Sequence, residues 1–127
     1  LALSTLPEDR RVDYINAHGT STPVGDVTEM MAVRRVFGEE HPVVTSTKSQ
    51  TGHALGGAGV HEAIYSLIMM DKGFIAPSIN VTELAPELRP DEIATELREN
   101  VELDSVLSNS FGFGGTNATM IMSKHDG

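Results

Sequence analysis

The chain has 127 residues, enough for one domain with a core of its own. Apolar residues make up 39% and aromatics only 5%, with no tryptophan, so the core must be aliphatic, built from Val, Ile, Leu, Ala and Met. The net charge of −9 would repel a phosphate backbone, and the absence of cysteine excludes a disulfide scaffold and thiolate metal sites.

Leu1 is not a methionine, and a strand-like segment begins within about a dozen residues, so the chain reads as a piece of a longer polypeptide. Nothing at this end has the basic and apolar regions of a signal peptide, and the cytoplasm is the expected compartment. Residues 12–17 predict a short strand running into the turn His18-Gly19-Thr20-Ser21-Thr22-Pro23-Val24-Gly25-Asp26. Asp26 is a candidate N-cap, with Glu29 completing a variant capping box. The helix that follows carries Val27, Met30, Met31, Val33, Val36 and Phe37, puts Arg34 and Arg35 on its wetter side, and stops at Gly38. His41-Pro42 breaks the chain, and residues 43–47 predict a second strand ending at Lys48.

A glycine-rich turn, Gly52-His53-Ala54-Leu55-Gly56-Gly57-Ala58-Gly59, leads into a helix that starts at Leu55 or Ala58, ends at Asp71 and is closed by Gly73. Val60, Ala63, Ile64, Leu67, Ile68, Met69 and Met70 cover most of its circumference. Such a helix is normally buried on every side, so part of its cover is expected from chain beyond this sequence. The apolar stretch 60–70 contains His61 and Glu62 and is too short to span a bilayer. Residues 78–81 read as briefly extended, and residues 83–104, with eight acids and two prolines, as a polar surface excursion with one short strand or helix. Residues 106–110 form a strand leading into Phe111-Gly112-Phe113-Gly114-Gly115-Thr116-Asn117, and residues 118–123 form the last strand. Asn80-Val81-Thr82 and Asn117-Ala118-Thr119 match the N-glycosylation pattern, by chance in a chain with no signal. Strand, helix, strand, helix and a closing pair of strands predict α/β architecture.

Each of the three glycine-rich turns follows a predicted strand, where open α/β sheets place ligands. His18, His53 and Phe113 are therefore expected to converge on one pocket. Two neutral imidazoles donating to one carbonyl oxygen would stabilise an oxyanion or enolate, or one could serve as a general base. Lys48 lies at a strand end, and Glu62, costly to bury alone, is its expected counter-charge. His18, His53 and Asp26 could be read as a zinc site, but no close His-to-His spacing supports one. The 52–59 run lacks a phosphate-loop pattern. His41, His61 and His125 fit structural hydrogen-bonding roles, and Phe111 and Phe113 fit a core role as well as a functional one.

Taken together, the His18–Pro23 turn, Lys48 with Gly52-His53, and the run Asn109-Ser110-Phe111-Gly112-Phe113-Gly114-Gly115-Thr116-Asn117 resemble the C-terminal half of a β-ketoacyl-acyl-carrier-protein synthase. Val24-Gly25-Asp26 and Gly73-Phe74-Ile75-Ala76-Pro77-Ser78-Ile79-Asn80 resemble most the bacterial type I enzymes of fatty acid synthesis. The resemblance covers essentially the whole chain, 1–127, least clearly 83–104. It implies half of a thiolase-like fold, a mixed sheet with flanking helices and one helix buried between layers. It implies an acyltransferase that performs a decarboxylative Claisen condensation between an enzyme-bound acyl group and malonyl-acyl carrier protein. His18 and His53 would be the catalytic pair, Lys48 the active-site lysine and Glu62 its ion-pair partner. Thr20 and Thr22 would hold the phosphopantetheine arm of the carrier protein, with no other cofactor and no metal. Phe113 would be the gate, its N–H completing the oxyanion hole. The family's nucleophilic cysteine belongs to the N-terminal half, so this chain alone is expected to be inactive. Its implied partners are that half, acyl carrier protein and, when complete, a second copy in a homodimer, with neither nucleic acid nor membrane. The alternatives are a non-catalytic partner of the chain-length-factor type or a packing fragment. A thiolase-like enzyme is a weaker match, because thiolases carry a cysteine near the last glycine-rich loop.

Overall fold

The strand nearest the centre of the molecule is short and wholly inaccessible. In the computed structural model, which describes residues 1–125, β1 (Tyr14–Asn16) has all three residues buried. It lies between β2 (Val43–Thr45) and β5 (Ser105–Phe111), parallel to both, and β6 (Asn117–Ser123) runs antiparallel along the outer side of β5. Alternation along β1 sorts the core onto two faces. Ile15, Val44 and Leu107 meet Met30 and Val33 of α1 (Gly25–Phe37). Tyr14 and Val106 meet Met69 and Met70 of α3 (Ala58–Lys72). The α/β mixed sheet with flanking helices is as expected. Tyr14 Oη is satisfied inside this core by Thr45 Oγ1 at 2.6 Å, and burial pushes its phenol well above the usual range.

The helices depart from expectation in instructive ways. Val24, not Asp26, precedes the first turn of α1, and no side chain caps it. Asp26 instead accepts the Ser21 N–H (3.1 Å) and Glu29 the His18 and Gly19 N–H groups (2.9 and 3.0 Å), so the tight turn claims both side chains that would have formed a capping box, and Thr22 Oγ1 accepts the Gly25 N–H (3.2 Å). Gly38, at φ +86°, ends α1 as predicted. Arg34 is not a solvated residue: its guanidinium pairs with Glu92. Lys48 opens a one-turn helix, α2 (Lys48–Thr51), rather than ending a strand, and a 3-10 turn at Leu55–Gly57 precedes α3, reconciling the two predicted starts.

On α3 the buried stripe is Ala58, Glu62, Ser66, Met69 and Met70. Val60 (63%), Ile64 (47%), Leu67 (49%) and Ile68 (47%) are exposed. The expectation of burial on every side therefore holds for one stripe only. The polar Glu62 and Ser66 face the sheet and the aliphatic residues face outward, the reverse of an ordinary surface helix. Gly73 closes the helix in the left-handed region (φ +68°), and an added Cβ would stand 3.0 Å from Val101 O.

Residues 78–81 do not form a strand. The extended pair is β3 (Phe74–Ile75) with β4 (Arg98–Glu99), a two-stranded antiparallel unit. Nor is 83–104 wholly a surface excursion, since Glu92, Ala94 and Leu103 are each 2% exposed. Ile93 forms a bridge beside Val44, which ties this segment to the sheet edge.

Candidate active site

Because β1, β2 and β5 are parallel, the turns after them emerge on the same edge of the sheet. The His18 turn approaches β2 so closely that a Cβ on Gly19 (φ +32°) would lie 2.6 Å from Ser46 Cβ. Ser46 Oγ donates to Gly19 O at 2.7 Å and fixes that approach. The His18 and His53 rings meet edge-on, with centroids 5.5 Å apart and planes at 85°. A cavity of about 700 Å³ opens on the His53 side of this pair, lined by His53, Lys48, Thr20, Thr22, Ser46 and Ser78, while the His18 ring stands behind His53 and does not line it.

The two imidazoles are held differently. His53 Nδ1 accepts the Leu55 N–H at 3.0 Å, so a neutral His53 carries its proton on Nε2. His18 is half-buried, and its Nδ1 is buried without a partner. Loss of solvation lowers the His18 pKa, and the nearby Lys48 ammonium and His53 push it further down. Its imidazole is therefore neutral at pH 7 and able to donate one hydrogen bond.

Lys48 and Glu62 form the ion pair predicted for them, Nζ to Oε1, with both side chains buried. Burial raises the Glu62 pKa, and the Lys48 ammonium opposes that rise. Glu62 Oε2 has no hydrogen-bond partner. The pair keeps a cation near enough to His18 to lower its pKa without adding net charge to the site.

The structure does not bring Phe113 into this group. Its side chain is 93% exposed and does not line the cavity. The loop is pinned by Gly112 N–H to Thr116 O (2.7 Å), and this turn carries Phe113 outward beyond the strand end. Phe111, at the end of β5, supplies the ring beside His18, with centroids 5.5 Å apart. Thr20 and Thr22 stand together on the cavity wall, with Thr20 Oγ1 3.4 Å from Thr22 Oγ1.

Sequence reasoning missed Glu29. Its carboxylate, 5% exposed, accepts the N–H groups of His18 (2.9 Å) and Gly19 (3.0 Å) and the Asn109 amide (3.2 Å). It joins the first glycine-rich turn to β5 and sets the direction in which His18 leaves the backbone. The available signal was Glu29 beside Met30 and one turn before Val33, on the buried stripe of α1. Asn16, fully buried on β1, was missed likewise, and its amide reaches Thr47, Ser66 and Glu62 O at 3.3–3.4 Å. Among the described residues, no group of His, Cys, Asp and Glu is arranged to hold a metal ion.

The family model for the beta-ketoacyl synthase C-terminal domain matches residues 2–82. The chain belongs to that family. It is 58% identical over 126 residues to 3-oxoacyl-[acyl-carrier-protein] synthase 1 of Haemophilus influenzae, covering 99% of this chain and 30% of that protein. It is 59% identical over 116 residues to the Escherichia coli K12 protein of the same name, covering 91% of this chain and 28% of that one. This synthase domain thus spans less than a third of the length of the curated relatives it matches. Among solved structures, it resembles a β-ketoacyl synthase from Burkholderia phymatum at a TM-score of 0.82 and 43% identity. A type II polyketide ketosynthase solved with its acyl carrier protein matches at a TM-score of 0.83 and 32% identity. In both, 90% of this chain and 28% of the other are covered. These neighbours have the thiolase-like ketosynthase fold.

Proposed function

We propose that this chain is the C-terminal domain of a bacterial type I β-ketoacyl-acyl-carrier-protein synthase and supplies the histidine half of a Cys-His-His site. The observation that carries the reading is the His18–His53 ring contact, with His53 on the cavity wall and Lys48 ion-paired with Glu62 beside it.

In this reading the phosphopantetheine arm of malonyl-acyl carrier protein lies along the cavity against Thr20 and Thr22. The malonyl thioester oxygen accepts hydrogen bonds from ring N–H groups of His18 and His53. The bond to the carboxylate breaks, CO₂ leaves, and the electron pair it leaves behind forms an enolate stabilised by those donors. The enolate carbon attacks an acyl thioester on a cysteine contributed by the rest of the protein. The cysteine sulfur leaves, and the new carbon–carbon bond gives the β-ketoacyl product. Lys48 helps by disfavouring an imidazolium at His18, which keeps a donor available without a positive charge that would bind the departing carboxylate. Phe113, exposed on its loop, would act as a gate only when apposed to the remainder of the enzyme.

The outward apolar face of α3 supports the same reading. Val60, Ile64, Leu67 and Ile68 would pack against the portion of the relatives that this chain does not span. Acyl carrier protein and a second copy of the completed enzyme are the proposed partners, and the cytoplasm the proposed compartment. Among the described residues, no helix is long and apolar enough to cross a membrane.

The test is a chimera in which this chain replaces the matching segment of the Escherichia coli relative. It should condense malonyl- with acyl-carrier protein, and His18→Ala and His53→Ala should each abolish that reaction. A chimera that folds and condenses undiminished with either alanine would rule the assignment out. A folded chimera that never condenses would favour a non-catalytic, chain-length-factor-like partner.

A further inference from the structure

Residues 79–93 cross the outer side of the cavity with no helix or strand of their own. Ile79, Leu84, Leu88 and Ile93 line it from this side. The near end of the segment is fixed at the site: Ser78 Oγ accepts the Ser46 N–H (2.9 Å), and the Ile79 N–H donates to Ser49 Oγ (3.0 Å). Among the described residues, those from 80 to 86 hydrogen-bond to no strand or helix. The far end is tied to β2 by the backbone, Val44 N–H to Glu92 O (3.0 Å) and Ala94 N–H to Val44 O (3.2 Å), and the residues just before it are gathered by the buried Glu92 side chain. Its carboxylate accepts from Arg34 Nε (2.6 Å) and Nη2 (2.5 Å), from the Arg89 N–H (2.8 Å) and from His41 Nε2 (2.8 Å). Arg34 Nη2 also donates to Glu87 O at 2.8 Å.

This cluster touches no residue of the histidine site, yet it shares a support with it. Glu29 and Arg34 lie on the same helix, α1. Glu29 holds the His18 turn, and Arg34, five residues further along the same helix, holds the outer wall. One rigid element therefore sets the distance between the floor of the cavity and its wall.

We propose that Glu92, gripped by Arg34, is a positioning residue that holds segment 79–93 over the cavity and so sets how tightly the substrate's thioester arm is bound. The inference rests on the reading of this cavity as the arm's site. Glu92 makes no contact with the reacting atoms. Its loss acts on binding, because the wall contacts the arm equally in the ground state and in the transition state.

The experiment uses the full-length chimera. Glu92→Gln leaves one acceptor oxygen and introduces an NH₂ donor among Arg34, His41 and the Arg89 N–H. The KM for malonyl-carrier protein should rise about five- to tenfold, with kcat within about twofold. Amide exchange should quicken in peptides covering 79–88 and stay unchanged at 14–19. Should Glu92→Gln not fold, Arg34→Lys keeps the charge, loses the two-pronged grip and should give the same pattern at smaller size. A fall confined to kcat, or unchanged exchange at 79–88 in a folded variant, overturns the proposal. His53→Ala in the same chimera separates the two ideas. If it stays fully active, the histidine reading fails, while exchange at 79–88 still decides whether Glu92 holds the wall.

Discussion

Glu62 and Glu92 have the same side chain and the same exposure, 2%, and each meets a cation. Their environments nevertheless push them in opposite directions. Glu62 has one ammonium on one oxygen and nothing on the other, and burial raises its pKa. Glu92 receives two bonds from Arg34, one from a backbone N–H and one from His41, and these hold its carboxyl far below the ordinary carboxylate range. At Glu62 the loss of solvation outweighs its single cation, whereas at Glu92 the bonds led by Arg34 outweigh the loss of solvation. The first carboxylate borders the histidine pair, with one of its oxygens left without a partner. The second holds a wall, where satisfaction gives rigidity.

The largest effect expected from breaking this contrast is on the sparser pair. In the chimera, Lys48→Ala leaves Glu62 buried without a cation and should lower stability by about 3 kcal/mol, read by urea unfolding. Adding Glu62→Gln should recover a good part of that loss, and a fully additive double variant would show that the two do not interact. Glu92→Ala orphans several donors at a site partly open to solvent through Arg34, and should lower stability by about 2 kcal/mol in the same assay.

Stability against pH should separate the two carboxylates by sign. Glu92 has a lowered folded-state pKa. Its contribution is complete above the unfolded value of about 4.3 and fades as pH falls below it, so Glu92→Gln should flatten the acid limb there. Glu62 has a raised folded-state pKa and binds its proton before the unfolded chain does. It contributes a loss of stability as pH rises above about 4.3, and Glu62→Gln should remove that loss. Two difference profiles of the same sign would dissolve the comparison. A smaller effect is expected at Glu29→Gln, which weakens the grip on the His18 N–H. The rate of decarboxylation should fall about tenfold with KM little changed. Smallest of all is Lys72→Ala, which removes an exposed partner of Asp71 and should leave the melting midpoint where it is.

Much of the site was legible in the sequence because its residues lie in short glycine-rich turns behind aliphatic strands. That pattern placed His18 and His53 at one sheet edge and called for a counter-charge to Lys48. The expected convergence of Phe113 on the histidines was not met in this chain, because spacing does not reveal which way a loop turns, and the ring beside His18 belongs to Phe111. The Asp26 capping box failed because the preceding turn takes both carboxylates, Asp26 by the Ser21 N–H and Glu29 by the His18 and Gly19 N–H groups. The β3–β4 pair and the buried part of 83–104 were hidden by composition. Glu92 reads as one more surface acid until Arg34, 58 residues away in sequence, and His41, 51 away, are brought beside it. The α3 helix was judged correctly as unusual, but periodicity alone did not show that the face turned to the sheet is the one carrying Glu62 and Ser66.

The central claim is that this chain holds the decarboxylating half of a site whose nucleophile lies elsewhere. The most direct measurement is CO₂ release from malonyl-carrier protein by the chimera with its N-terminal nucleophilic cysteine replaced by alanine. Release should continue without condensation, and should stop when His18 and His53 are both changed to alanine. Release that persists at the same rate in the folded double-alanine protein would contradict it.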